Sequence, residues 1–324
     1  MDLPRLTRIL LLLAASAVGC EAAAQPYPNR PIHVVYPFQA GGTGDIVFRM
    51  LMPTLEQRMG QRIIFENHTG AGGNLGAKVV ANAAPDGYTL LLPATNVLVI
   101  NQFLFPDMPI DPAKAFTPVT VVVEVPSVFY VNPRVPAHTL QEFIEFAKAN
   151  PGKVNYASPG IGTTPHLNVE LFAELSGLRL THVAYRGLPD AMNALLAGDV
   201  QLYLAGLAPA RGNLKAGKLR AIAVGGRARL PALPDVPTVS EAGLKSFEAG
   251  NWFGLVAPAG TDDAIIERWV SEIRFALQQP AMKQRFAEDG LLPGGASPAE
   301  FRARLAREAA LWERVIKGAH IKAE

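Results

Sequence analysis

The chain of 324 residues has a single cysteine, Cys20, and none after it. A mature form beginning at Gln25 therefore has no disulfide, no thiolate metal ligand and no cysteine nucleophile. Blocks of like charge are absent, and 30 basic residues stand against 28 acidic ones. With no basic stripe interleaved with aromatics, nucleic acid is not an expected partner. No apolar run after residue 25 approaches the length of a membrane span, so a soluble mature protein is expected. Catalytic motifs are missing as well. There is no HExxH, no clustered His/Asp/Glu and no Walker lysine behind a glycine loop. Ser158 lacks the leading glycine of a nucleophile elbow, because Tyr156 stands there. We expect no enzymatic chemistry, no metal and no cofactor.

What the sequence does have begins at its N-terminus. Arg5 and Arg8 precede an apolar run from Ile9 to Val18, too short to cross a bilayer and of the right length for a signal peptide. Ala22-Ala23-Ala24 before Gln25 suits ordinary signal peptidase, giving a signal peptide over residues 1–24 and a periplasmic product. Ala17-Val18-Gly19-Cys20 is the alternative, a lipobox with a lipid anchor at Cys20. Apolar residues make up 49% of the chain and charged ones 18%, which excludes disorder.

Short β-branched runs alternate with amphipathic stretches, the pattern of an α/β fold with mostly parallel sheets. Strands are expected at Ile32–Tyr36, 62–66, 89–92, 119–123, 127–131, 154–157, 180–184, 200–204 and 219–224. Helices are expected near 45–59, after Gly73, and at 140–150, 165–176, 189–197, 262–278, 280–289 and 298–317. No repeat or low-complexity linker divides the chain, which favours two lobes joined by crossing strands. We place the crossings near Val123–Val125 and Val224–Gly226, giving one lobe from 27–124 plus 226–324 and another from 125–225. The cleft would lie between them, lined by loops at the carboxyl ends of strands.

Two loops stand out. Pro37-Phe38-Gln39-Ala40-Gly41-Gly42-Thr43-Gly44-Asp45 and Ser158-Pro159-Gly160-Ile161-Gly162-Thr163-Thr164 each join a strand to a helix. Glycines let backbone N–H groups approach a ligand, and a helix N-terminus favours an anion. Each loop is equally readable as a plain tight turn. His166 is a donor to a bound anion or a cap on its loop, and capping is the commoner role of a lone histidine. Asp45 complements the helix dipole or organises the glycine loop, since facing a carboxylate ligand would be repulsive. Phe38 walls the cleft or packs beneath the loop. Arg186 offers a fork to a second carboxylate or is simply exposed.

The segments YPNRPIHVVYPFQAGGTGD (27–45), GAGGNLGAKVVANAAPDGYTLL (70–91), NPGKVNYASPGIGTTPHL (150–167), LPALPDVPTVSEAGL (230–244) and NWFGLVAPAGT (251–261) carry a resemblance. They resemble the substrate-binding proteins of tripartite tricarboxylate transporters, the Bug family. The resemblance implies a type II periplasmic-binding-protein fold with two α/β lobes and a hinged central cleft. It implies a receptor that captures a small carboxylate for membrane permease subunits; a di- or tricarboxylate or an aromatic acid would each suit the loops, and a monomer is expected. A receptor presenting its ligand to a membrane sensor is the alternative, and an exported enzyme is disfavoured. Ligand contacts are implied at Phe38, Gly41, Gly42, Thr43, Asp45, Ser158, Gly160, Gly162, Thr163, Thr164 and His166. Further contacts are implied at Thr95, Asn96, Tyr185, Gly187 and Ala205.

The sequence departs from the family pattern in places. Ala205 stands where many relatives carry an acid, which argues against an amino-acid ligand. His68-Thr69 replaces the usual Arg-Pro, and Leu188-Pro189 replaces smaller residues beside the cleft.

Overall fold

The computed structural model describes residues 27–105, 107–245 and 247–322. The N-terminal apolar run and Cys20, and with them the choice between cleavage sites, lie outside the described residues. Among the described residues no helix is long and apolar enough to cross a membrane.

The chain opens with β1 (Ile32–Tyr36), α1 (Thr43–Met59), β2 (Ile63–Asn67), α2 (Asn74–Ala81) and β3 (Thr89–Leu91). A π-helical turn, Asn96–Ile100, runs into α3 (Asn101–Leu104), followed by α4 (Pro112–Ala115) and the long β4 (Phe116–Pro126). The second series is β5 (Val128–Val131), α5 (Leu140–Ala149), β6 (Asn155–Ser158), α6 (Thr164–Ser176), β7 (Thr181–Ala184), α7 (Leu188–Ala197), β8 (Leu202–Ala205), α8 (Arg211–Lys215) and β9 (Arg220–Val224). It closes with β10 (Gly250–Pro258), α9 (Asp263–Leu277), α10 (Pro280–Asp289), β11 (Leu292–Pro293) and α11 (Pro298–Gly318).

The strands form two sheets, one per lobe, in the orders β11-β4-β10-β3-β1-β2 and β7-β6-β8-β5-β9. The expectation of mostly parallel sheets needs correcting. β1 is parallel to β2 and β3, but β10 runs antiparallel to both β3 and β4. In the second sheet β6 is parallel to β7 and β8, whereas β5 is antiparallel to its two neighbours. Strand β10 had no counterpart in the sequence reading, and neither did the π-helical turn.

Burial explains the strand sequences. Ile32, Val34, Val35 and Tyr36 are all buried, because helices cover both faces of the sheet. Helices end on local signals: α1 stops at Gly60, whose φ of 69° is the left-handed cap, and α11 begins with a Ser297–Glu300 capping box.

The chain leaves the first sheet after Pro126, since Asn251 pairs with Val125 and Gly250 with Pro126. It returns between Val224 and Gly250, and on the way Val239 N–H donates to Val224 C=O along the second sheet (2.9 Å). The crossings are tied together by a ring of backbone bonds. Ser127 N–H donates to Ala249 C=O (3.1 Å), Ala249 N–H to Gly225 C=O (2.9 Å) and Gly225 N–H to Ser127 C=O (2.7 Å). No side chain fits at Gly225, where a Cβ would stand 2.6 Å from Ala249 C=O. Asn168 of α6, fully buried, reaches this ring through Ser127 Oγ (3.3 Å) and Gly250 C=O (3.4 Å).

Candidate functional site

The first turn is built by β1 ending at Tyr36 and α1 starting at Thr43. Asp45, 4% exposed, folds back so that its Oδ2 accepts from Gly41 N–H at 3.0 Å, while Oδ1 accepts from Arg49 Nε at 3.0 Å. That bond needs Gly41 at φ +88°, a conformation that L side chains rarely adopt. Asn67 Nδ2 donates to Phe38 C=O at 3.0 Å, pinning the turn to the end of β2. Phe38, half-buried, packs edge-on against Tyr36 at 5.4 Å and against Gly73, so it supports the turn from one side. Gly44 lies against Phe253, leaving no space for a side chain.

The second turn is held from beneath by a buried polar cluster. Ser158, fully buried, accepts from Gly160 N–H (3.2 Å) and donates to Gly160 C=O (2.9 Å). Thr163 Oγ1 donates to the same carbonyl at 2.7 Å. Gly162 N–H donates to His166 Nδ1 at 3.0 Å. His182 of β7 bonds Ser158 Oγ through Nε2 at 2.6 Å and stacks on His166 with centroids 3.7 Å apart. Burial lowers both imidazoles below their ordinary range, His166 to about 3 with the neighbouring His182 charge adding to the effect, and His182 to about 4.

The amides of the two turns therefore divide into bonded and unbonded ones. Those of Gly41, Gly160 and Gly162 are engaged within their own turns, as is Thr163 N–H by Gly160 C=O (3.4 Å). Among the donors left over are Gly42, Thr43 and Gly44 in the first lobe and Ile161, Thr164 and His166 in the second. They find no acceptor among the described residues. Most of these are first-turn amides of α1 and α6, which no side chain caps.

The remaining candidates hold varied positions. Tyr185 N–H donates to Ser158 C=O (2.9 Å) and Gly187 N–H to Pro159 C=O (3.3 Å), so this loop is laced onto the second turn. Thr95 is buried, its Oγ1 accepting from Trp252 N–H at 3.1 Å. Asn96 donates to Gly72 C=O at 2.8 Å, beside Asn101 and Asn74. Ala205 is buried in the apolar cluster of the second lobe with Val128 and Tyr130. Arg186 is exposed and forms no ion pair among the described residues. His182 escaped the sequence reading, because it was one scattered histidine in a short strand.

The two turns belong to lobes in contact. A Cβ built on Gly162 would stand 2.3 Å from Cδ1 of Leu104, which follows β3 in the first lobe. Two surface cavities lie elsewhere. One of about 370 Å³ is lined by Arg134, Phe146, Lys153 and Gln201, and one of about 430 Å³ by Arg30, His33, Asp86 and Tyr88. Both sit at the opposite ends of the parallel strands from the turns.

Residues 47–321 match the model of the tripartite tricarboxylate transporter family receptor. The chain belongs to this family. It is 34% identical over 326 residues to Protein BugT of Bordetella pertussis, covering 99% of this chain and 100% of that one. Among solved structures, Rpa4515 of R. palustris with adipate is 33% identical with a TM-score of 0.80, covering 91% of this chain and 99% of that one. MatC of Rhodopseudomonas palustris with bound malate is 33% identical with a TM-score of 0.75, covering 90% and 100%. The two-lobed fold of this receptor family is thus the fold of the chain.

Proposed function

We propose that this protein is an exported receptor that closes its two lobes around a small carboxylate, delivers it to the membrane subunits of a tripartite transporter, and leaves it chemically unchanged. The observation that carries the reading is the pair of uncapped helix N-termini, α1 and α6, one in each lobe. An anion between them meets N–H donors and the positive end of each helix dipole. Closure excludes water, and each hydrogen bond to the charge is then worth about 1.5–3 kcal/mol net. The similarity to proteins holding adipate and malate, both dicarboxylates, supports this ligand class.

The two ends are not equivalent. Helix α1 already carries a carboxylate in its first turn, that of Asp45, whereas α6 has none. The more strongly held carboxylate of the ligand belongs at α6, with Arg186, flanked by Tyr185 and Gly187 that bond to the second turn, a cation without an ion pair among the described residues. The moving bodies in this reading are the two lobes, pivoting on the bonded ring at Ser127, Gly225 and Ala249.

A thermal-shift screen of protein stripped of carried-over ligand against carboxylic acids tests the reading. At a hundredfold excess over Kd a true ligand adds about 2.7 kcal/mol. Stabilisation by amines or neutral sugars, with no acid active, would overturn it.

A further inference from the structure

We propose that His182 is a positioning residue for the ligand-holding turn of the second lobe, working with His166 as a neutral stacked pair that fixes which amides of the turn remain free. The inference rests on the carboxylate reading above, but its structural half stands without any ligand.

The argument starts from donors and acceptors. A backbone N–H can only donate, so Gly162 N–H at 3.0 Å fixes His166 Nδ1 as an unprotonated acceptor, with the proton on Nε2. Ser158 Oγ already receives Gly160 N–H and has a single proton, for which Gly160 C=O stands ready at 2.9 Å. Thr163 Oγ1 supplies the same carbonyl at 2.7 Å, so the contact of His182 Nε2 with Ser158 Oγ at 2.6 Å carries either the imidazole N–H or the serine hydroxyl proton. In both arrangements a chain links His182 through Ser158 Oγ to Gly160.

Both ends of the turn are thereby anchored on one stack. Tyr156, His182 and His166 lie in sequence across it, with centroids 4.9 Å and 3.7 Å apart at angles of 24° and 9°. The β6–β7 register sets this up, placing His182 opposite Tyr156. Tyr156 from β6 and Glu170 from α6 are the titratable groups facing the pair. The Tyr156 hydroxyl donates to Glu170, whose Oε1 is 3.8 Å from His166 Nε2. With Gly160 and Gly162 both tied inward, Ile161, Thr164 and His166 are the amides left for an outside acceptor.

Protonating His166 would put a proton on Nδ1 against Gly162 N–H and break that end of the turn. Charging His182 would place a cation face to face with a second imidazole. The turn therefore requires both rings neutral.

Two variants and one spectrum test this. His182→Phe keeps the ring stack and loses the bond to Ser158. His182→Gln returns an amide N–H at the reach of Nε2. Isothermal titration with adipate and with malate at neutral pH should weaken by up to about tenfold in His182→Phe, the worth of one neutral hydrogen bond, and recover most of that in His182→Gln. Equal affinity in His182→Phe and the parent, whatever the melting temperatures, would overturn the positioning role. Nitrogen NMR of histidine-labelled, ligand-free protein should report His166 as the Nε2–H tautomer and both rings neutral at pH 6. An Nδ1–H tautomer, or either ring half-charged at pH 6, would overturn the proposal by itself. If neither acid binds the parent protein, the carboxylate reading fails, and the spectrum still decides the state of the pair.

Discussion

Gly162 of the second lobe lies directly against Leu104 of the first, with room for a hydrogen and nothing larger. Its φ of +72° adds a second reason for glycine. Replacing it with alanine forces a left-handed side-chain residue and displaces the Leu104 methyl group that closes this contact. Gly162→Ala should lower stability by about 1–3 kcal/mol and weaken carboxylate binding. Adding Leu104→Ala should restore much of the binding while leaving the backbone strain, a coupling that a double-mutant cycle by titration calorimetry measures.

Asp45 is charged where an anion is expected to arrive, so its variants separate organisation from repulsion. Asp45→Asn keeps an acceptor for Gly41 N–H and removes the like charge, and should hold a dicarboxylate roughly two- to fivefold more tightly. Asp45→Ala frees the Gly41 amide and loosens the turn, and should bind more weakly than the parent. Tighter binding in both variants, read by calorimetry, would mean that Asp45 acts by charge alone, and weaker binding in both that its charge does not oppose the ligand.

Asn168 makes two long bonds to the crossing segments, and its Oδ1 finds no donor among the described residues. Asn168→Leu should cost only about 1 kcal/mol, because two weak bonds are lost and an orphaned oxygen goes with them. Asn168→Asp buries an unpaired carboxylate in a fully buried position and should cost about 3 kcal/mol or more at neutral pH. Urea unfolding measures both.

Stability should fall with acid in a window set by the stacked histidines. Unfolded imidazoles titrate near 6.5, whereas the folded His182 and His166 stay neutral to about 4 and about 3. Between those values the unfolded chain binds more protons, so stability is lost as pH falls from about 6.5 towards 3. His182→Gln should flatten the upper part of that slope in a series of thermal melts from pH 7 to pH 4.

Much of the fold was legible from local pattern. Val34 and Val35 in β1 and Val121–Val123 in β4 are β-branched runs that only sheets bury on both faces, and Gly60 and Ser297 mark helix ends by their own chemistry. Strand β10 was not legible. Gly254 interrupts its apolar run, and that glycine is there because Phe301 of α11 packs onto it, a contact made by chain 47 residues further on. The turns were found as candidates, but the fate of their amides was not. Whether Gly41 N–H meets a ligand or Asp45 depends on φ at one residue, and a glycine in sequence permits either. His182 gave no local signal, because its partner Ser158 is reached only through the β6–β7 register.

The claim that an anion is held by the first-turn amides of α1 and α6 can be read directly from an amide-resolved NMR titration of ligand-free protein with adipate. The account predicts that the Thr43, Thr164 and His166 N–H resonances move most, saturate together and gain protection from exchange. Large shifts confined to the cavity around Arg134 and Lys153, with those three amides unmoved, would contradict it.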